Sequence, residues 1–514
     1  MKIIKKIAAI MLSVMMVLGM CSVVGAEGTT TSGTSAANTG SIKINNAIKD
    51  QTYTIYQILE LESFSEKPTT GETDAGNYAY KATDKWRKFV SEAANTSGKK
   101  YFIEEGGYVK WNPEVGKEAG DIEEFAKKAL AYAKDVNNKV ANKGSTTAEG
   151  TTVTFDNLSL GYYLVDSSTG VLCSLDTTAM DVTINEKNKE PKLNKQVKED
   201  STSDWKNENT ADIGQKVEFQ VTIDAKKGAE NYVLHDVMSN GLTFDPNSVI
   251  VVKKTGDNNQ TLTKGTDYQV VTTGLEDTNP CTFHVEFVQT FCDTLTDDDK
   301  LIVTYSATLN NKDAVVAGSG NSNIAKLEYG DKHFTTPSET TTKTYEIPVL
   351  KYTNKNGRDT PLAGAVFELY RDKECKTENQ ISFVKNATDL EKYDLYRIAT
   401  SSDAESESVK QITTTTEGKF KIYGLDADTY YLKEVTPPAG YNKLTSPIEI
   451  KIDTDGKIYV NKSTVANSGA VKVENKTGSI LPSTGGMGTT LFYIFGAILV
   501  VGSGVVLITK KRMK

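Results

Sequence analysis

The chain has 514 residues, with 67 acidic against 59 basic side chains and a formal net charge of −8. Between Glu27 and Thr484 the chain is mildly acidic with no basic cluster, which argues against nucleic acid as a partner. Three histidines (His235, His284 and His333), with no Ser/His/Asp set and no metal-ligand spacing, argue against a conventional enzyme and imply neither cofactor nor metal.

Residues 1–26 read as a signal peptide: Lys2, Lys5 and Lys6, then an apolar run to Val24, then a small-residue site ending at Ala26. Cys21 is preceded by Met20 rather than a small residue, so a lipoprotein is rejected. Four cysteines remain beyond the leader (Cys173, Cys281, Cys292 and Cys375), too few and too scattered for a disulfide scaffold. A Cys281–Cys292 bridge is conceivable.

A Thr/Ser/Gly-rich segment, 27–40, is read as flexible. The first domain, 41–190, opens on strand-like Ile42-Lys43-Ile44 and Tyr53-Thr54-Ile55-Tyr56. A helix is expected from Asp121, with Glu124 completing a capping box and Ile122, Phe125, Ala129, Tyr132 and Val136 forming one apolar face. The domain closes with strands at Gly161–Val165 and Met180–Ile184. The second domain, 191–344, is nearly all strand: Val217, Phe219, Val221 and Ile223 alternate with polar residues, as do Phe283, Val285 and Phe287, and Leu301 to Leu309. This is the pattern of a β-sandwich with one buried face per sheet. A third strand-rich domain, 345–477, follows.

The C-terminus has three parts in order. Leu481-Pro482-Ser483-Thr484-Gly485 comes first, then an apolar run at 491–509, then a basic tail at 510–514 with Lys510, Lys511, Arg512 and Lys514. As a helix the run spans about 28 Å, enough for the hydrocarbon core of a bilayer, and the basic residues stay cytoplasmic.

Strand parity puts several polar residues on core-facing positions. In the second domain Lys195 shares a face with Leu193 and Val197, Asp236 with Tyr232 and Leu234, and Asn323 with Ala325, Leu327 and Tyr329. In the third, Lys351 aligns with Ile347 and Val349, Glu434 with Tyr430 and Leu432, and Asn475 with Val471 and Val473. Charged residues are rarely buried unless paired. A lysine, an acid and an asparagine in one core are the set needed for an intramolecular isopeptide bond: burial favours neutral amine and neutral carboxyl, the amine attacks the asparagine carbonyl, and ammonia leaves. Asn321 has the same parity as Asn323 and competes with it. In the first domain Lys43 lies opposite Ile42 and Ile44, so no bond is expected there.

These features carry a resemblance. The C-terminal tripartite signal resembles that of Gram-positive wall-anchored proteins, which implies that a sortase cleaves after Thr484. Tyr430-Tyr431-Leu432-Lys433-Glu434-Val435-Thr436-Pro437-Pro438-Ala439-Gly440-Tyr441 looks like the E-box of collagen-adhesin B-type (prealbumin-like) domains, which implies Glu434 as catalytic acid and Lys351 and Asn475 as bonded partners. Tyr232–Asp236, Gly241-Leu242 and Asn323–Ala325 resemble the isopeptide domains of pilin shafts, an A-type order with Asp236 as the acid. Val182-Thr183-Ile184-Asn185-Glu186-Lys187-Asn188 resembles the pilin-motif region of major pilins, in which a lysine attacks the sortase-bound threonine of the next subunit. Asn185-Glu186 stands where Tyr-Pro is expected; Lys187 is the matching lysine, with Lys189 and Lys192 as alternatives. The whole resembles a sortase-assembled fimbrial shaft subunit. Its implied partners are pilin-type and housekeeping sortases, identical subunits, peptidoglycan, ancillary pilins and host surface ligands. The alternative is a monomeric wall-anchored adhesin, or a minor or basal pilin.

Overall fold

The computed structural model describes residues 39–64, 78–91, 101–115, 119–167, 170–174, 181–186, 189–275, 281–330, 332–464, 469–478 and 488–512. The signal peptide, the pentapeptide at 481–485, and Lys187 with Asn188 lie outside them. The chain divides into two compact units: Met1–Asn209, Gln215–Val315 and Ser319–Lys343 make one, and Thr210–Gly214, Val316–Gly318 and Thr344–Lys514 make the other.

In the first unit, Thr39–Asn45 is the middle strand of a three-stranded sheet, antiparallel to Thr152–Ser159 and parallel to Asp181–Asn185. It begins inside the segment expected to be flexible. Its alternation is as the sequence suggests: Ile42 and Ile44 are buried and Lys43 faces solvent. The long strand Thr52–Phe64 pairs with Gly161–Ser167 within a seven-stranded sheet. Against this core packs the helix Ala119–Lys134, with Phe125 and Ala129 fully buried among Trp86, Phe89, Tyr101 and Phe102.

Two details of the helix expectation are corrected. The helix starts at Ala119, so Asp121 lies in its first turn, where its charge complements the helix dipole. Glu124 pairs with Lys128 one turn on, at 3.2 Å. Val136 lies beyond the last turn and is exposed, because the helix ends at Lys134 and the 3.6-residue period no longer positions it.

The second half of this unit is a two-sheet sandwich. One sheet places Lys216–Asp224 between Lys192–Lys198 and Asp299–Leu309; the other places Val233–Met238 between Asn321–Tyr329 and Phe283–Phe287. Val217, Phe219, Val221 and Ile223 are all buried, as period-2 alternation requires of a strand with one face inward. Cys281 and Cys292 are not disulfide-bonded to one another.

The second unit is also built on two sheets. Tyr345–Lys355 pairs antiparallel with Lys419–Leu425 and parallel with Val471–Glu474. The other sheet centres on Val366–Tyr370, Thr429–Thr436 and Ile448–Ile452. The C-terminal helix Gly488–Arg512 is longer at both ends than the apolar run alone suggests, and Phe492–Arg512 is long and apolar enough to cross a membrane. Lys510, Lys511 and Arg512 occupy its last turn, where positive charge suits the helix dipole.

Candidate functional site

Each sandwich holds a lysine, an acid and an asparagine in its dry interior, all six side chains at most 2 % exposed. In the first unit Lys195 comes from one sheet (Lys192–Lys198), whereas Asp236 and Asn323 come from neighbouring strands of the facing sheet. Strand pairing sets Met238 opposite Asn323 and Asp236 opposite Ala325, so acid and amide sit diagonally on one face. The Lys195 amine contacts Asp236 Oδ2 and the Tyr305 hydroxyl. The same hydroxyl donates to Asp236 Oδ2, and Asn323 Nδ2 donates to it at 3.4 Å. Asp236 Oδ1 and Asn323 Oδ1 are buried with no hydrogen bond.

Burial governs the protonation of this group. Desolvation lowers the Lys195 pKa to about 8 against the opposing pull of the Asp236 charge, and raises that of Asp236 despite Lys195. The Tyr305 phenol is pushed far up, first by burial and then by Asp236, so it stays protonated. Phe219 and Tyr305 rings lie 5.5 and 5.1 Å from the amine and close the pocket to water.

Asn321, the competing asparagine, is also fully buried but is committed to the backbone. Its Oδ1 accepts from the Val315 amide at 2.9 Å, and its Nδ2 donates to the carbonyls of Val315 and Thr342, each at 3.2 Å. Gly241 leaves it room: a Cβ there would lie 2.1 Å from Asn321 Oδ1. Asn321 holds a loop, while Asn323 reaches the same Tyr305 hydroxyl as the lysine. Tyr305 was legible only as a core residue in an alternating strand; the usable signal was that a phenol on a buried face needs a polar partner.

The second unit wires its set differently. Lys351 and Asn475 belong to one sheet, on the parallel pair Tyr345–Lys355 and Val471–Glu474, and Asn475 extends that pairing by donating its backbone N–H to the Tyr352 carbonyl at 3.0 Å. Glu434 reaches across from the other sheet. Lys351 Nζ lies 3.0 Å from Glu434 Oε1 without the alignment of a hydrogen bond. Glu434 Oε2 accepts from Asn475 Nδ2 at 3.1 Å and from the Leu444 amide at 2.9 Å. The Asn475 side chain also donates to the Asn442 carbonyl, while its Oδ1 is buried with no partner. Thus the loop after Pro437-Pro438-Ala439-Gly440-Tyr441 folds back on the acid, with Gly440 in the left-handed region at φ 86° to make the turn. Burial lowers the Lys351 pKa, outweighing Glu434.

Around the expected polymerisation lysine, Asn185 ends the strand Asp181–Asn185, and Glu186 is buried with its N–H donating to the Asn45 carbonyl at 2.8 Å. Lys189 and Lys192 are exposed. Glu190 Oε1 accepts from Gln51 Nε2 at 3.1 Å and from the Tyr329 hydroxyl at 2.8 Å, which pins the chain shortly after Lys187.

Family models match three stretches of this chain. Residues 213–333 match the Gram-positive pilin backbone subunit 2, Cna-B-like domain; residues 347–465 match the SpaA prealbumin-like fold domain; residues 474–514 match the LPXTG cell wall anchor motif. With the fold above, these matches define the class: a Gram-positive pilin backbone protein with a cell-wall anchor, and hence a structural protein of the cell surface.

Among individual proteins, the chain is similar to the trypsin-resistant surface T6 protein of Streptococcus pyogenes serotype M6, at 25 % identity over 382 residues, 63 % of this chain and 69 % of that protein. Solved structures similar to it include the T6 backbone pilin of the same organism (19 % identity, TM-score 0.46, covering 82 % of this chain and 81 % of that one). The major pilin SpaA of Corynebacterium diphtheriae is another (16 % identity, TM-score 0.45, covering 85 % and 100 %).

Proposed function

We propose that the chain is a shaft subunit of a covalent pilus, stabilised by two self-formed Lys–Asn isopeptide bonds and joined and wall-anchored by sortases. The bonds link Lys195 to Asn323 and Lys351 to Asn475, with Asp236 and Glu434 as the catalytic acids. In each site the neutral amine attacks the asparagine Cγ, and the Nζ–Cγ bond forms as the Cγ–Nδ2 bond breaks. The carboxyl polarises the carbonyl and carries the proton from the amine to the departing nitrogen, which leaves as ammonia. In the first unit Tyr305 orients both lysine and acid. Each site turns over once, so the protein modifies itself and is not an enzyme toward others.

What supports this reading most is a buried asparagine Oδ1 without a hydrogen bond whose side chain shares a buried partner with a desolvated amine, Tyr305 in one sandwich and Glu434 in the other. A buried polar atom without a partner costs about 1–3 kcal/mol. An amide bond in place of the charge pair removes the burial cost of that charge.

Between subunits, Lys187 of one chain attacks the sortase-bound Thr484 carbonyl of another, and the last subunit passes to peptidoglycan. Pilin-type and housekeeping sortases, identical subunits, peptidoglycan and ancillary pilins are the partners this assembly requires, with adhesion to host surface ligands as its use. The intact mass of the folded chain is expected to fall short by two ammonia molecules; the full unmodified mass overturns the isopeptide reading. Cell-wall extracts in SDS are expected to show a high-mass ladder that Lys187→Ala abolishes, whereas one discrete band in the wild type identifies a monomeric adhesin or minor pilin instead.

A further inference from the structure

On the far side of the Asp236 strand from the lysine, two of the three histidines of the chain meet a cysteine. His235 and His284 are directly paired across neighbouring antiparallel strands, their ring centroids 4.1 Å apart. Cys281 enters just ahead of the His284 strand, its Sγ 3.6 Å from His235 Nδ1. One ligand atom from each of the three lies within 4.8 Å of the others. Both histidines are buried, and Cys281 is partly exposed, which gives a small ion a way in.

Three further features suit a transition-metal ion. A tetrahedral zinc ion with Zn–N and Zn–S bonds of ordinary length holds its nitrogen and sulfur ligands about 3.5 Å apart, close to the separation between His235 Nδ1 and Cys281 Sγ. His235 Nε2 lies 2.8 Å from Glu328 Oε2. A carboxylate accepts only, so the proton of neutral His235 sits on Nε2 and Nδ1 keeps its lone pair toward the cysteine. This carboxylate–histidine arrangement orients and strengthens metal-bound imidazoles in many zinc proteins. Third, the Phe334 ring packs edge-on against His235 with centroids 5.4 Å apart, so one wall of the site is apolar.

We infer that His235, His284 and Cys281 form a binding site for a borderline divalent transition metal, zinc being the best match, with a water in the fourth position. Binding deprotonates the Cys281 thiol, so one proton leaves to solvent for each ion bound and the ligand set becomes one thiolate and two neutral imidazoles. The ion staples Val233–Met238 to the chain leading into Phe283–Phe287, one residue from the Asp236 carboxyl.

The test uses the full chain, purified in detergent and stripped of metal. Titration with Zn2+ against a chromogenic chelator is expected to give one tight equivalent, and Co2+ a thiolate-to-metal charge-transfer band. Cys281→Ser abolishes that band and His284→Ala abolishes tight binding. Glu328→Gln weakens binding about tenfold, and His333→Ala leaves it unchanged. In the wild type, where no variant need fold, Zn2+ protects Cys281 from iodoacetamide as read by peptide mass. No binding, equal alkylation with and without zinc, or the same affinity in Cys281→Ser and His284→Ala overturns the proposal, the last two identifying a thiol–imidazole contact without a metal.

Discussion

Lys195 is an amine with almost no water to hold its charge, and its reactivity and its cost to the fold share that origin. In a chain that cannot close the bond, such as Asn323→Ala, the amine still titrates. Its folded pKa of about 8 lies below its ordinary 10.5, so between those values the unfolded chain binds more protons than the folded one. Stability of that variant therefore rises with pH across this window, by roughly 3 kcal/mol from this group, and the burial cost is fully present below it. The wild type, its amine consumed, is expected to lack the rise; urea midpoints at several pH values compare the two. Tyr305→Phe removes the hydroxyl between amine, acid and amide. It is expected to slow closure of the Lys195–Asn323 bond and leave Lys351–Asn475 unaffected, as read by timed mass spectra after synthesis. The lysine, acid and asparagine of each set are legible in strand parity. Tyr305 is not, because parity says which face a residue takes and not what its hydroxyl meets.

At the scale of strands, one chemistry is served by two wirings. Lys195 and Asn323 sit on facing sheets, whereas Lys351 and Asn475 sit on adjacent parallel strands with the acid arriving from across the core. The Val471–Glu474 strand is four residues long and among the described strands pairs with Tyr345–Lys355 alone, helped by the Lys472–Asp359 ion pair at 2.8 Å and by the hydrogen bonds of Asn475. Asn475→Ala should let this strand fray, so that trypsin cuts at Lys472 and Lys476 while the wild type is spared; limited proteolysis followed by mass mapping decides it. Alternation made these strands readable in advance, since a buried face imposes period two wherever the sheet has a wet side. The helix was readable in its middle and not at its ends. Val136 continues the periodic pattern in sequence, but the helix has already stopped, and nothing local marks that point as strongly as the apolar stripe marks the helix.

Across the whole molecule, the two sets fall in separate compact units. They share no side chain, so their bonds should form independently. Asp236→Ala and Glu434→Ala are each expected to retain one ammonia, and the double variant both; a single variant that retains both would show coupling. The order of sandwiches and anchor was legible because each has its own compositional signature. The assignment of Thr210–Gly214 and Val316–Gly318 to the second unit was not, since it depends on contacts between residues far apart in sequence. The His235–Cys281–His284 cluster escaped for the same reason. Its spacing matches no local motif, and only the pairing of two distant strands assembles it.

The placement of the two lysine–asparagine pairs also sets how far the chain can extend. Each pair encloses about 120–130 residues between its members, and an extended chain covers about 3.3–3.6 Å per residue. Once closed, each bond takes more than about 400 Å of contour length out of reach of any pulling force, because tension passes from lysine to asparagine without entering the loop. In a single-molecule trace the second and third domains would then contribute no unfolding steps of that length, and the extension recorded per subunit would come from the remainder of the chain.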